Sequence, residues 1–228
     1  MRKLKSRRGP KKVAASYLFL SPEEAITAET YNKPPVVEDS ARRPPSTRIW
    51  KKELLRFQNL CPKGKILDLG CGPGKNISDL ASRKHSYVGI DIAERMVRRA
   101  KMTSPSAALM QMNMHTLGFK EKSFSGVWAP VCLFHIPKRS IYRVLGELQR
   151  VLVPGGIGFI VMHRGTGGRY NYVGGGLKFF AYYHLEEFAS ILEESGFAIL
   201  DHYEDFQNHQ PPRDYTVWLC YFVQSASD

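Results

Sequence analysis

The sequence predicts an α/β fold, a doubly wound, seven-stranded and mostly parallel sheet with helices on both faces, and three observations carry that expectation. Short apolar runs alternate with segments of helical period between residues 65 and 162. A glycine-rich turn, Gly70-Cys71-Gly72-Pro73-Gly74, joins the first run to the first helical segment. The last two apolar runs follow one another with no helix between them. Alternation implies right-handed βαβ crossovers, which lay strands parallel and cover both faces of the sheet. Two consecutive strands form most simply an antiparallel pair.

Residues 1–20 read as a basic, disordered tail. Positions 2–12 hold Arg2, Lys3, Lys5, Arg7, Arg8, Lys11 and Lys12 with no acid, seven of the net twelve positive charges. Such a run can dock on RNA, DNA or an anionic membrane by counterion release, and is more commonly a solvated tail. Organellar targeting is the other reading, but Pro10 and the clustered charges spoil an amphipathic helix. Residues 21–47, with Pro22, Pro34, Pro35, Pro44 and Pro45, read as a proline-rich lid or linker in which only 22–30 could be helical. The folded domain is expected over 48–224. Ser46 or Thr47 can cap its first helix, in which Ile49, Trp50, Leu54, Phe57 and Gln58 recur at roughly helical spacing before Pro62.

Strands are then expected at 65–69, 87–90, 107–111, 125–129, 157–162, 197–206 and 216–223, and helices at 75–82, 93–101, 138–152 and 185–194. At 228 residues, 43% of them apolar and 24% charged, the chain can bury a core without covalent staples. The longest apolar run is broken by Pro154, Gly155, Gly156 and Gly158, so no membrane span is expected. Cys61, Cys71, Cys132 and Cys220 show neither zinc-site spacing nor a disulfide framework. Free thiols in a reducing, cytoplasmic compartment are expected, and no metal.

The segment Ile66-Leu67-Asp68-Leu69-Gly70-Cys71-Gly72-Pro73-Gly74-Lys75-Asn76 is followed by Gly89-Ile90-Asp91 at the end of the next strand. A glycine turn between strand and helix lets backbone approach a ligand closely. The spacing is GxGxG, and Lys75 stands where a dinucleotide turn would place glycine, which argues against a nicotinamide oxidoreductase. Asp68, two residues before Gly70, would repel a pyrophosphate but suits an ammonium group. Asp91, 21 residues beyond Gly70, can accept both hydroxyl protons of an adenosine ribose. Together they describe a nucleoside that carries an amino acid.

In these residues the chain resembles the class I S-adenosylmethionine-dependent methyltransferases, over residues 54–223. The likeness extends to Pro154-Gly155-Gly156 before the fifth strand, and Phe124-Ser125-Gly126-Val127-Trp128 and Leu133-Phe134-His135-Ile136-Pro137 look like the ubiquinone-biosynthesis-like, small-molecule branch. The resemblance implies a sheet order of 3-2-1-4-5-7-6 with strand seven antiparallel. It implies S-adenosyl-L-methionine as cofactor, with Asp68, Gly70, Cys71 and Gly72 around the methionine part, Asp91 on the ribose, and Ile92 and Met96 flanking the adenine. Met112, Asn113 and Met114 would face the adenine edge, where Asn113 replaces the family's frequent acid and accepts through its carbonyl oxygen. Ala129 and Pro130 would pass beside the sulfonium. Each has a plainer competitor: a turn cap for Asp68, a helix cap for Asp91, a loop amide for Asn113.

A sulfonium methyl is already activated, so alignment supplies much of the acceleration and a base is optional. His135 is the candidate base, on the loop after the fourth strand, against the reading that it only packs. His163 and Arg164 end the fifth strand and are candidate acceptor contacts, whereas His184 more simply begins a helix. Tyr31, Tyr170 and Tyr182 belong to aromatic-rich segments that either form a lid over a planar acceptor or, for 179–183, an edge strand. The acceptor is expected to be a small molecule. The alternatives are an RNA or protein methyltransferase docked through residues 1–12, and a non-catalytic S-adenosylmethionine-binding partner protein. Trp128-Ala129-Pro130-Val131 lacks the Asn/Asp-Pro-Pro-aromatic motif of exocyclic nucleobase methylation, which narrows the RNA option.

Overall fold

A computed structural model describes residues 20–206 and 217–226. The basic tail, with its RNA-docking and targeting readings, and the loop holding Pro211 and Pro212 lie outside the described residues.

The first surprise is how helical residues 21–47 are. Helix α1 (Pro22–Tyr31) is as expected, α2 (Pro34–Arg42) is not, and α3 (Ser46–Ile49) is a separate short helix where a continuous one was expected. The prolines read as breakers occupy helix starts, where a missing N–H costs nothing and a fixed φ is already helical. Ser21 caps α1, its Oγ accepting from the Glu24 N–H while the Glu24 carboxylate accepts from the Ser21 N–H. The expected helix from Ser46 is split at Trp50, whose backbone leaves the helical region, so α4 (Lys51–Leu60) is separate. Ser46 and Thr47 do not cap it. Their hydroxyls are turned onto Asn76 and Asp79 instead.

The sheet then assembles from β1 (Gly64–Leu69), β2 (His85–Asp91), β3 (Ala108–Gln111), β4 (Phe124–Ala129) and β5 (Leu152–Arg164), all parallel in the order 3-2-1-4-5. The terminal strands β8 (Phe197–Asp205) and β9 (Trp218–Ser225) complete it, β9 running antiparallel along β5 and β8 outside it. The expected strands six and seven are β8 and β9, and their order is the expected one. Helix α5 is only Ile77–Leu80, against an expected 75–82, because Lys75 and Asn76 are drawn into contacts with residues 43–44 and Asp68. Helices α6 (Glu94–Thr103), α7 (Ile141–Val151) and α8 (Leu185–Glu194) stand close to expectation, with Lys138–Ser140 as a 3₁₀ turn ahead of α7 and His184 as the N-cap of α8.

Two further strands, β6 (Gly168–Val173) and β7 (Gly176–Tyr183), form a hairpin, realising the edge-strand reading of 179–183. β7 joins β5 only at His163 and Arg164, on the edge that β4 has left at Ile160, so the hairpin stands above the carboxyl end of β4.

Apolar side chains pack on both faces. α7 and α8 supply Leu145, Leu148 and Phe188 to one layer, and α4 and α6 supply Phe57, Val97 and Ala100 to the other, with Trp50, Trp128, Phe159 and Phe222. Gly126 in β4 leaves room for this second layer: a Cβ there would lie 2.6 Å from Cys61 Sγ and 2.7 Å from Phe57 Cζ. Gly126→Ala is expected to lower stability by about 1–3 kcal/mol through overpacking. An unchanged urea midpoint would show the layer to be looser than this.

Candidate functional site

Strand ends β1, β2 and β4, the glycine turn, α1, α3 and the β6/β7 hairpin enclose one cavity of about 930 Å³ at the carboxyl edge of the sheet. That edge is where parallel α/β sheets bind ligands, because the chain reverses direction there and leaves a crevice.

At the glycine turn, Gly70 and Gly72 hold φ of +68° and +54°, a region that other residues rarely adopt. A Cβ on Gly70 would lie 2.6 Å from that of Cys132, whereas one on Gly72 would meet nothing within 4 Å. The turn thus presents open backbone to the cavity. Asp91 lines the cavity, with one carboxylate oxygen accepting the Gly72 N–H (3.0 Å) and the other the Ala93 N–H (2.8 Å). Each oxygen keeps a further lone pair. Asp91 is not the cap of α6, whose N-cap is Ala93; its carboxylate bonds the turn before that helix and also faces the cavity.

Asp68, 1% exposed, lies beneath the turn and does not line the cavity. Asn76 Nδ2 reaches both its oxygens (3.3 and 3.2 Å), and the Tyr87 hydroxyl donates to one (2.9 Å). Trp128 Nε1 donates to the Ser46 hydroxyl, which donates to Asn76 Oδ1, so one chain of hydrogen bonds ties β4 and α3 to the acid under the glycine turn. From sequence, Tyr87 is only the start of a strand, Asn76 only the end of the glycine motif, and Ser46 only a helix cap. Burial is the main cause that pushes the Asp68 carboxyl up to about 7 and Asp91 up to about 6.

A cationic ligand favours the ionised acids, so affinity for S-adenosylmethionine is expected to fall as pH drops through about 7 and then about 6. Stability of the ligand-free protein has the opposite slope. Acids whose pKa is raised on folding hold more protons in the folded state, so stability falls as pH rises from the ordinary carboxylate range through these values. Calorimetric titrations across this range check the binding claim, and a flat profile removes it.

Further along the wall lie Ile92, Met96, Asn113 and Met114, while Met112 packs against the core. Asn113 Oδ1, the expected acceptor for an adenine amino group, already accepts the His115 N–H at 2.9 Å. His115, 2% exposed, is bonded through Nε2 to Glu24 of α1, itself 5% exposed. Glu24, Thr27, Ala28 and Tyr31 recur at helical spacing and turn one stripe of α1 into the cavity. Thr27 and Thr30 hold that helix to β7: Phe179 N–H donates to Thr27 Oγ1, and Thr30 Oγ1 donates to the Leu177 carbonyl. None of the Ser21 capping box, the Glu24–His115 pair and the threonine staple is among the sequence expectations.

The far end is aromatic. His135 Nδ1 lies 2.6 Å from the Phe179 carbonyl, which can only accept, so Nδ1 carries the proton and Nε2 accepts from the Tyr31 hydroxyl at 2.9 Å. Both nitrogens of the candidate base are engaged, and burial drives its pKa down to about 4. His163 lines the cavity between Phe134 and Trp218, each 4.3 Å away, with Nδ1 lacking any hydrogen-bond partner. The other residues expected near an acceptor stand outside the wall. Arg164 pairs with Glu204, Tyr170 is 41% exposed beside Phe179, and Tyr182 lies under the Arg169 guanidinium with its hydroxyl accepting from Asn171. Ala129 is fully buried at the end of β4 and does not reach the cavity surface. Cys71 and Cys132 do line it, and burial raises both thiols, so neither is a ready nucleophile.

A 3-2-1-4-5 sheet closed by an antiparallel strand, with an open glycine turn bonded to the acid of strand two, is the architecture of the class I methyltransferases. Comparisons with known proteins agree. A methyltransferase-domain family profile matches residues 66–156. Uncharacterized methyltransferase sll0829 of Synechocystis is 34% identical over 113 residues, 48% of this chain and 53% of that protein. The 24-methylenesterol C-methyltransferase 2 of Arabidopsis thaliana is 32% identical over 117 residues, 48% of this chain and 32% of its own length. The solved S-adenosylmethionine-dependent methyltransferase of Methanosarcina mazei superposes with a TM-score of 0.67 at 21% identity, over 76% of this chain and 98% of that one. Residues 66–156 thus carry a methyltransferase domain, and the fold around them is the one seen in solved S-adenosylmethionine-dependent methyltransferases. The chain spans between a third and about half the length of these curated relatives.

Proposed function

We propose that this chain transfers the methyl group of S-adenosylmethionine to a small-molecule acceptor held at the aromatic end of the cavity. The observation that carries the reading is continuity: one cavity runs from the Gly70–Gly72 turn and Asp91 to Phe134, His163, Phe180 and Trp218. Its 930 Å³ lies at the upper end of the range usual for ligand sites, about 300–1,000 Å³, as suits two bound molecules. Relatives whose names specify a small acceptor, such as 24-methylenesterol, support the same reading.

The open backbone at Gly72 and the free lone pairs of Asp91 suit a ribose, Ile92 and Met96 an adenine, and Asn76, Arg48 and the turn the methionine part. Bound there, the cofactor supplies a methyl group on a sulfonium whose leaving group departs neutral. The chain's own work is to align the acceptor and exclude water. α1 closes one side of the cavity, and Tyr31, fixed by His135, sets the boundary between the two compartments.

Calorimetry with S-adenosylmethionine, followed by incubation of the enzyme and isotopically methyl-labelled cofactor with metabolite extract and mass spectrometry, tests the reading. A labelled adduct of low mass is expected. Absence of cofactor binding sinks the proposal, and label appearing only in RNA or protein replaces the acceptor class.

A further inference from the structure

We propose that the acceptor is a planar phenol or enol bound as its oxyanion, with Lys178 as the cation that selects it. The inference rests on the methyl-transfer reading above.

Lys178 is 4% exposed, sits on β7 and lines the cavity. Its Nζ lies 4.3 Å from the centroid of the Tyr31 ring and has no carboxylate partner among the described residues. Asp39, the nearest acid to influence it, is held by Arg43 at 2.6 Å. Burial of an ammonium group without a counter-ion is costly, and the burden shows in a pKa brought down to about 8, chiefly by desolvation and then by the charge of Arg43. An anionic ligand removes that burden. Lys178 Nζ stands by Gly174, as do Arg43 and Asp39, and the same cavity continues to Phe134, Phe180 and Trp218, whose flat faces suit an unsaturated ring.

The neighbouring histidines point the same way. His135 has both nitrogens engaged, and burial brings His163, which lines the cavity with its Nδ1 unpartnered, down to about 3, so neither is a base strong enough to hold a proton taken from a neutral hydroxyl. An oxyanion needs no such base. Its oxygen forms the new bond to the methyl carbon as the carbon–sulfur bond breaks, that electron pair returns to sulfur, and no proton moves in the step. His135 is on this account a positioning residue for Tyr31.

The test uses the full chain saturated with S-adenosylhomocysteine and 4-nitrophenol as probe, whose visible absorbance reports its ionisation. The probe is expected to bind as the phenolate and about tenfold or more tighter than 4-nitroanisole, which cannot ionise. Lys178→Met should weaken the probe by about tenfold or more and shift the bound spectrum to the neutral phenol, while Lys178→Arg preserves both. S-adenosylhomocysteine affinity should be the same in all three proteins. A probe bound neutral, no preference over 4-nitroanisole, or a stronger preference for 4-nitrobenzoate overturns the proposal. So does a Lys178→Met protein that loses S-adenosylhomocysteine instead, since Lys178 would then serve the cofactor's carboxylate. Should Lys178→Met fail to fold, the wild-type spectrum and Lys178→Arg decide. Failure of the wild-type chain to bind S-adenosylhomocysteine is a separate result, and it strikes the methyl-transfer reading itself.

Discussion

Asp91→Ala is expected to weaken cofactor binding by about 100-fold. The carboxylate accepts backbone N–H groups from both Gly72 and Ala93, at 3.0 and 2.8 Å, and so fixes the glycine turn relative to the second strand. Hydrogen bonds to a charged acceptor contribute about 1.5–3 kcal/mol each. The two internal bonds set the shape of the turn; the loss in affinity comes from the contact proposed to a ribose, at the upper end of that range about 3 kcal/mol, which is about two decades in a dissociation constant. Asp91→Asn retains one acceptor and should lie between, at about tenfold. Calorimetric titration with S-adenosylhomocysteine reads both variants. An unchanged affinity in Asp91→Ala would mean that the turn holds its shape without the acid and that the ligand lies elsewhere.

Glu24→Ala is expected to destabilise the fold by about 1–3 kcal/mol, the cost of leaving a buried hydrogen-bonding partner unsatisfied. Glu24 and His115 are almost wholly buried, and the same carboxylate closes the capping box at Ser21. The substitution therefore removes the tie between α1 and the loop after β3 and frays the start of the helix at once. Denaturant melts followed by circular dichroism should show a lower midpoint, equivalent to a fall in Tm of roughly 2–12 °C for a domain of this size. Acceptor-side binding should suffer more than cofactor binding, because α1 carries Tyr31. A variant that melts with the wild type would show that α1 is held by Thr27 and Thr30 alone.

The unexpected helix α2 and the separate α3 mark where local reading failed. Prolines at 34, 35, 44 and 45 are equally compatible with an irregular linker and with helix starts, and what separates the two is whether an apolar face finds cover. Val36 and Val37 do, packing with Ala93 and Met96. Ser46 is a comparable case. Its hydroxyl is a good cap by residue type, yet it bonds Asn76, thirty residues ahead, because burial beside Trp128 rewards a partner there more than at the helix end.

What the amino-acid order determined by itself was whatever depends on neighbours along the chain: the alternation that makes the sheet doubly wound, the glycines that bend the turn, and the aspartates at 68 and 91 placed by strand length at one edge. Periodicity and backbone preference act within a few residues, so they are written locally. Only the tertiary structure decided which side chains share the cavity. It set Asp68 under the turn, brought Tyr31 to His135 across 104 positions, and left Lys178 buried with no carboxylate bonded to it among the described residues. These outcomes depend on how helices outside the sheet and a hairpin above it close over a common space, and burial and charge balance are sums over neighbours that sequence spacing does not list.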